Sequence, residues 1–382
     1  MNPRHLYIHV PFCGRRCVYC DFSIAVRRAT PVKEYVSALS AELRSQPHDG
    51  HWALDTVYLG GGTPSRLGGE GIASVLDLVR SRAQFSASAE VTIEANPEDV
   101  TGDSVKAWRD AGVNRVSLGV QSFNDDVLKW MHRNHTGAEA EAALGILRDV
   151  GIANVSVDLI FALPETLRRT WADDLSRAIA LEPPHISVYG LTVEPLTPLG
   201  RWVSAGSVNA TEEDPYADEF LAADERLTAA GYAHYEVSSY ARDGMKSRHN
   251  SAYWTGAEYL GLGPSAHSLV DGARRWNVRA YEDWRSRAIG GKSLVEGSEI
   301  LTRELRHLES IYLGLRTSAG YRRSSSDKER VDRWVEAGWG SVEKDTITLN
   351  ALGWLRLDAL AADLGGTTSR RNYISSHGSS AA

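Results

Sequence analysis

Cysteine is nearly missing from this chain: 382 residues contain three. An odd count leaves no complete disulfide framework, and a chain of this length buries enough apolar surface to fold without staples. Basic charge is not in surplus either. Acidic side chains outnumber basic ones 49 to 42, for a formal net charge of −7, so composition offers no grip on nucleic-acid phosphates. Long apolar runs are absent as well, since none approaches the roughly 20 residues needed to cross a bilayer. The stretch Met1–Val10 shows no signal-peptide core and passes straight into a strand pattern. The expected location is therefore the cytoplasm, where thiols stay reduced, with peripheral membrane contact left open.

The few cysteines that exist stand together. Cys13, Cys17 and Cys20 occupy one eight-residue window, directly after the apolar run Leu6–Val10. A C-x3-C-x2-C loop can present three thiolates to three irons of a cubane, and with no fourth cysteine in the chain the last iron keeps an open coordination position. Zinc held by the three thiolates with His9 or another histidine is the competing reading, although structural zinc sites favour paired C-x2-C spacings.

Hydrophobic period and punctuation predict six strands, at Leu6–Val10, Thr56–Leu59, Val91–Ala95, Arg115–Gly119, Val155–Ile160 and Ile186–Tyr189, each followed by a helical pattern. Ile72, Val75, Leu76 and Val79 repeat at i, i+3, i+4 and i+7, one face of a helix. Strand and helix in alternation imply parallel pairing with right-handed crossovers, hence an α/β fold built as an incomplete (β/α) barrel of six units.

Unusual residues follow each strand. The cysteine loop follows the first, Gly60-Gly61-Gly62-Thr63-Pro64 the second, Glu94-Ala95-Asn96-Pro97 closes the third and Gly119-Val120-Gln121-Ser122 the fourth. Asp158 interrupts the apolar fifth, and Thr192 follows the sixth. Carboxyl ends of strands are where such folds bind ligands. Each ending has a plain turn or capping reading, but a carboxylate inside a strand costs several kcal/mol, roughly, unless something pairs with it. The glycines, without side chains, would let backbone N–H and C=O groups approach a ligand's carboxylate or ammonium.

The cysteine window with Tyr19 inside it, and the glycine triplet, resemble the radical S-adenosylmethionine (radical SAM) superfamily. Tyr7-Ile8-His9-Val10-Pro11-Phe12-Cys13, Gly119-Val120-Gln121-Ser122-Phe123 and Asp158-Leu159-Ile160 resemble the oxygen-independent coproporphyrinogen III oxidase family. Within it, His249-Asn250-Ser251-Ala252-Tyr253-Trp254 and Gly261-Leu262-Gly263-Pro264-Ser265-Ala266-His267 are similar to the heme chaperone branch, the HemW type. The oxidase carries a further cysteine two places after the third cluster ligand, where this chain has Phe22, and a longer amino-terminal arm. Both differences favour the chaperone. Phe161-Ala162 and Ser265 depart from the usual residues on the substrate side.

The resemblance implies that Cys13, Cys17 and Cys20 hold a [4Fe-4S] cluster whose fourth iron is chelated by the methionine end of S-adenosylmethionine. It implies that Gly61, Gly62 and Thr63 line that end, that Arg133 neutralises its carboxylate, and that Asp158 accepts from the ribose hydroxyls. Gln121, Tyr7, Glu94, Tyr19 and Thr192 complete the pocket. The implied function is a chaperone that binds heme and passes it to acceptor hemoproteins, including membrane-bound respiratory ones. Radical decarboxylation of coproporphyrinogen III is the alternative, and a homodimer stays open.

By punctuation and pattern, residues 1–231 form the core, 232–300 an aromatic and glycine-rich connecting region, 301–364 a smaller α+β, winged-helix-like domain, and 365–382 a tail expected to be disordered. In the last domain Val342 and Thr346–Leu349 read as strands and Asn350 as an N-cap. Ten basic and ten acidic residues between Leu301 and Asp363 give it no basic face, so no nucleic-acid partner is expected. Heme asks for an imidazole, flat apolar walls and arginines for its propionates. His249 beside Tyr253 and Trp254, with Arg248, Arg274 and Arg275 nearby, supplies these in sequence, and His267 is a second candidate.

Overall fold

The computed structural model describes residues 3–46 and 52–366, so the expected tail lies outside the described residues from 367 onward. Six parallel strands run in chain order: β1 (His5–Val10), β2 (Trp52–Gly61), β3 (Ala83–Ala95), β4 (Arg115–Gln121), β5 (Asn154–Phe161) and β6 (His185–Gly190). Neighbours are in register along their apolar centres, with Ile8 beside Leu59, Leu59 beside Ile93, and Val116 beside Val155. The incomplete six-unit barrel expected from the sequence is the fold observed.

Two strands are longer than expected. The front half of β2, Trp52–Leu54, pairs with Ala83–Phe85 before the register shifts between Leu54 and Thr56. Those residues lack strict alternation, which hides them from a pattern of period two. Three further strands widen the sheet: β7 (Ala233–Glu236) and β8 (Ser239–Ala241) add antiparallel beyond β6, and β9 (Leu260–Leu262) adds parallel to the outer edge of β1. At three or four residues each, they are too short to carry a periodic signal.

The helices follow the expected logic. In Gly68–Arg80 the residues Ile72, Val75, Leu76 and Val79 are all buried against the sheet, each contributing about 1.5–3 kcal/mol in transfer terms. Helices Gly102–Asp110 and Gly137–Val150 open on Thr101 and Thr136 capping boxes, which satisfy amides that would otherwise be orphaned. Gly151, left-handed at φ 99°, closes the second.

Beyond the barrel, His267–Val270, Ala273–Asn277 and Val295–Ile300 make a small antiparallel sheet. Helices Arg303–Leu315 and Lys328–Glu336, a hairpin of Gly340–Glu343 with Thr346–Leu349, and closing helices to Gly365 follow in winged-helix order. Asn350 caps the next helix by accepting from the Gly353 amide at 3.0 Å. One buried apolar cluster runs without interruption from Leu6 to Leu364. No helix among the described residues is long and apolar enough to cross a membrane.

Candidate functional site

A cavity of about 340 Å³ opens at the carboxyl ends of the six strands, within the range of pockets that enclose small molecules. Its wall holds all three cysteines and nine of the ten residues expected around the cofactor: Tyr19, Gly61, Gly62, Thr63, Glu94, Gln121, Arg133, Asp158 and Thr192. Tyr7 is the exception. Its hydroxyl bonds to His9 Nδ1 at 3.1 Å and its ring stacks on Tyr58, one layer behind the wall. Tyr58 takes the facing position.

The cysteine loop leaves β1 through Phe12–Cys13, which pairs with Ala25–Val26, so the loop is closed at its base. Cys13 Sγ lies 3.5 Å from the Thr63 hydroxyl, and Cys17 Sγ receives the Arg133 guanidinium at 3.7 Å. Burial pushes the Cys13 thiol up and the Cys20 thiol up to about 12, so thiolates there call for a cationic partner. His9 is not available to a metal: Nε2 bonds to the Ser23 carbonyl at 2.9 Å and Nδ1 to Tyr7. No three Cys, His, Asp or Glu side chains among the described residues converge as a single metal ion requires. A cubane, with its irons at separate corners, does not need the three sulfurs to meet at one point.

The glycines serve packing first. A Cβ on Gly61 would stand 2.5 Å from the His9 imidazole, and one on Gly62 would stand 2.7 Å from the Pro11 backbone. Their amides are committed as well, Gly61 to Glu94 Oε2 at 2.9 Å and Gly62 to the Val10 carbonyl at 2.8 Å. Reception of a ligand carboxylate by these N–H groups, which the sequence allowed, is therefore corrected. Arg133 supplies a cation on the same wall.

Arg133 sits at the centre of the site. Nη2 donates to Asn96 Oδ1 and to the Gly119 carbonyl, both at 2.7 Å, while its buried Nε finds no acceptor among the described residues. Neighbouring Tyr19, Cys17 and Glu98 favour its charged form against the cost of burial. A buried cation with an unused donor is suited to an anionic ligand group. Opposite it, Asp158 accepts from Ser117 at 2.7 Å and Ser156 at 2.9 Å. Burial pushes its carboxyl up and the serines hold it down. Glu94 accepts from Tyr58 and Gly61, yet burial and the charge on Asp158 lift it to about 7.

Two strained residues lie on the wall. A bulge between Gly119 and Gln121 turns Gln121 to φ 67°, and His132, also on the wall, sits at φ 63°. Each left-handed residue costs about 1–3 kcal/mol. Sequence reasoning missed Tyr58, Ser117, Tyr189 and His132. Ser117, Ser156 and Ser187 did leave a signal, as lone serines in apolar strands, where register sets Ser117 beside Ser156 and Ser187 beside Asp158.

The heme candidates lie elsewhere. His249 is buried with Nδ1 2.6 Å from the Thr56 hydroxyl and Nε2 2.8 Å from the Tyr253 hydroxyl, and its ring stacks on Tyr58. Burial drives its imidazole down to about 3. Glu90 receives the amides of Arg248 and His249, an anion seated on the amino end of helix Arg248–Trp254. Arg274 is paired with Glu299 and Glu309, and Arg316 covers the Trp254 ring at 4.1 Å. His267 stacks on Trp276, away from the cavity wall. His249 thus sits in a packed interior, because aromatics that suit a porphyrin also suit a core.

Residues 7–176 match the radical SAM superfamily. The heme chaperone HemW of Mycobacterium tuberculosis is 36% identical over 371 residues, covering 95% of each chain. HemW of Synechocystis sp. is 38% identical over 329 residues, 84% of this chain and 79% of that one, and HemW of Escherichia coli is 41% identical over 275 residues, 71% of each. Coproporphyrinogen III oxidase (HemN) of Escherichia coli shares the fold, with a TM-score of 0.82 at 22% identity over 96% of this chain and 91% of that one.

Proposed function

Because this chain belongs to the HemW heme chaperone family of the radical SAM superfamily, we propose that it binds a [4Fe-4S] cluster, S-adenosylmethionine and heme, and delivers heme to acceptor hemoproteins. The observation that carries the cofactor half is that Cys13, Cys17, Cys20, Arg133 and Asp158 line one cavity together. These residues fit the two groups: sulfur for iron, a cation with a spare donor for a carboxylate, a carboxylate for hydroxyls. When reduced, such a cluster supplies an electron that can break a sulfonium carbon–sulfur bond. The chain's own share is to exclude water, to hold the ligand's carboxylate on Arg133 and to keep Asp158 as an acceptor.

The chaperone reading is favoured over the oxidase by the relatives' names and by Phe22, which lines the cavity where the oxidase resemblance calls for a cysteine. Anaerobically reconstituted protein given coproporphyrinogen III, S-adenosylmethionine and dithionite is expected to release no carbon dioxide. The same preparation is expected to develop a Soret band with heme and to pass that heme to an apo-hemoprotein. Carbon dioxide with vinyl-bearing product would overturn the assignment in favour of the oxidase.

Heme coordination by His249 requires helix Arg248–Trp254 to leave its seat, since both ring nitrogens are engaged in the closed arrangement. His249→Ala is expected to lower stability by about 2–3 kcal/mol, through the vacated space and the stranded Thr56 and Tyr253 hydroxyls. It should also abolish the Soret band at equimolar heme. A folded variant with an unchanged Soret spectrum and heme affinity would place heme on another residue.

A further inference from the structure

Beneath the cavity a file of hydrogen bonds crosses the barrel interior in one direction. Its far end is the Ser247 amide, a group that only donates, and it donates to the Tyr235 hydroxyl at 3.2 Å. That hydroxyl lies 2.8 Å from His185 Nε2, and His185 Nδ1 lies 2.7 Å from Ser156 Oγ. Ser156 donates to Asp158 Oδ1 at 2.9 Å. An ionised carboxylate only accepts. Ser156 also lies 3.1 Å from the Ser187 hydroxyl, and one arrangement of hydrogens consistent with both ends runs from Tyr235 O–H to Nε2, from Nδ1–H to Ser156 and from Ser156 O–H to Asp158.

Ser156, His185, Tyr235 and Ser247 are all buried, so water cannot replace a missing partner. Neither His185 nor Tyr235 lines the cavity. Burial and the nearby Arg115 charge keep the imidazole neutral, as the file requires. Chains of this kind strengthen by mutual polarisation in a low dielectric.

We propose that His185 and Tyr235 are positioning residues for the nucleoside end of the bound ligand: they aim the Ser156 hydroxyl at Asp158, which holds that group as a carboxylate with its remaining lone pairs facing a vicinal diol. The proposal rests on the reading of Asp158 as the acceptor for the ribose hydroxyls of S-adenosylmethionine. Without the aimed hydroxyl, burial favours the protonated acid, which donates where the diol needs an acceptor. The other groups facing Asp158 are Ser117, Ser187 and Arg115 on the strands and Glu94, Tyr58 and Tyr189 around the cavity.

The test is equilibrium dialysis of S-adenosylmethionine against anaerobically reconstituted protein, with iron content and circular dichroism matched between variants. His185→Leu is expected to weaken binding about tenfold and Tyr235→Phe about threefold, the range of one buried hydrogen bond. His185→Gln, whose amide can accept from Tyr235 and donate to Ser156, should stay within about twofold of wild type. In His185→Leu the pH below which affinity falls should move upward. Wild-type affinity in Asp158→Asn would overturn the reading of Asp158 itself. Weak binding by Asp158→Asn, combined with wild-type affinity and pH profile in His185→Leu, would overturn the relay alone. So would a His185→Gln protein as weak as His185→Leu, which would mark packing as the whole effect. Should His185→Leu fail to fold, Tyr235→Phe decides by the same readouts, since it removes a single oxygen.

Discussion

Protein in which Cys13, Cys17 or Cys20 is replaced by alanine is expected to leave anaerobic reconstitution colourless, with iron and sulfide at background. Wild type should hold about four irons per chain under the same conditions. The loss is complete because nothing can substitute: the chain has no fourth cysteine, and His9 is engaged at both ring nitrogens. The fold should survive each change. The loop is fixed at its base by strand pairing at Phe12–Cys13 and by backbone bonds such as Arg27 N–H to the Cys13 carbonyl at 2.9 Å, which need no sulfur. Circular dichroism should therefore match wild type while the near-visible absorbance vanishes. Retention of S-adenosylmethionine should fall with the iron, since Arg133 and Asp158 remain but the chelated end has lost its partner. Wild-type protein that binds one zinc and no iron would end the cluster reading. So would any single alanine variant with a full complement of iron.

What could be read from the sequence divides along physical lines. The barrel was legible because parallel strands buried on both faces appear as apolar runs, and each run here ends in a turn rich in Gly, Pro or Asn. The cluster loop and Asp158 were legible because their residue types are out of place: three cysteines in a polar loop, a carboxylate in a strand. Tyr7 and Tyr58 lie at matching positions of paired strands, and no local signal says which of two stacked rings faces the cavity. The enclosed setting of His249 was hidden for a related reason. Its partners Thr56 and Glu90 come from strands more than 150 residues away, so the sequence around it displays aromatics without showing that they are enclosed. The relay to Asp158 was invisible because its serine, histidine and tyrosine come from three strands and converge only through register.

Glu42 is the most consequential residue that the sequence did not flag, and Glu42→Ala is expected to be the most destabilising single substitution outside the apolar core. The side chain leaves helix Val32–Ser45 and is 1% exposed. Oε2 accepts from the Gly263 amide at 2.8 Å and from Trp284 Nε1 at 3.0 Å, and Oε1 accepts from Asn277 at 2.6 Å. One carboxylate thus ties the first helix to the loop after β9, to the small sheet and to helix Tyr281–Ile289. Alanine would strand the Gly263 and Trp284 donors in a dry space and leave a void, at a cost of about 3–5 kcal/mol. No cation among the described residues neutralises the group, and burial lifts its carboxyl to about 7. An unfolded glutamate gives up its proton near 4.5, whereas the folded one keeps it until about 7, so the folded chain holds more protons across that window. Stability should therefore fall as pH rises from 4.5 to 7 and level off above, with Glu42 contributing roughly 3 kcal/mol to the fall. Glu94, lifted to a similar value, slopes the same way. Glu42→Gln retains an acceptor for Gly263 and Trp284 without a titrating proton. Its urea midpoint should lie well above that of Glu42→Ala at pH 7, and its decline between pH 4.5 and 7 should be shallower than in wild type. Gly263 also packs against the His9 carbonyl, and His9 against Gly61, which lines the cavity, so the clamp backs that wall. A Glu42→Ala protein within about 1 kcal/mol of wild type, or a Glu42→Gln protein with the wild-type pH slope, would show that the carboxylate is solvated and that the wall stands without it.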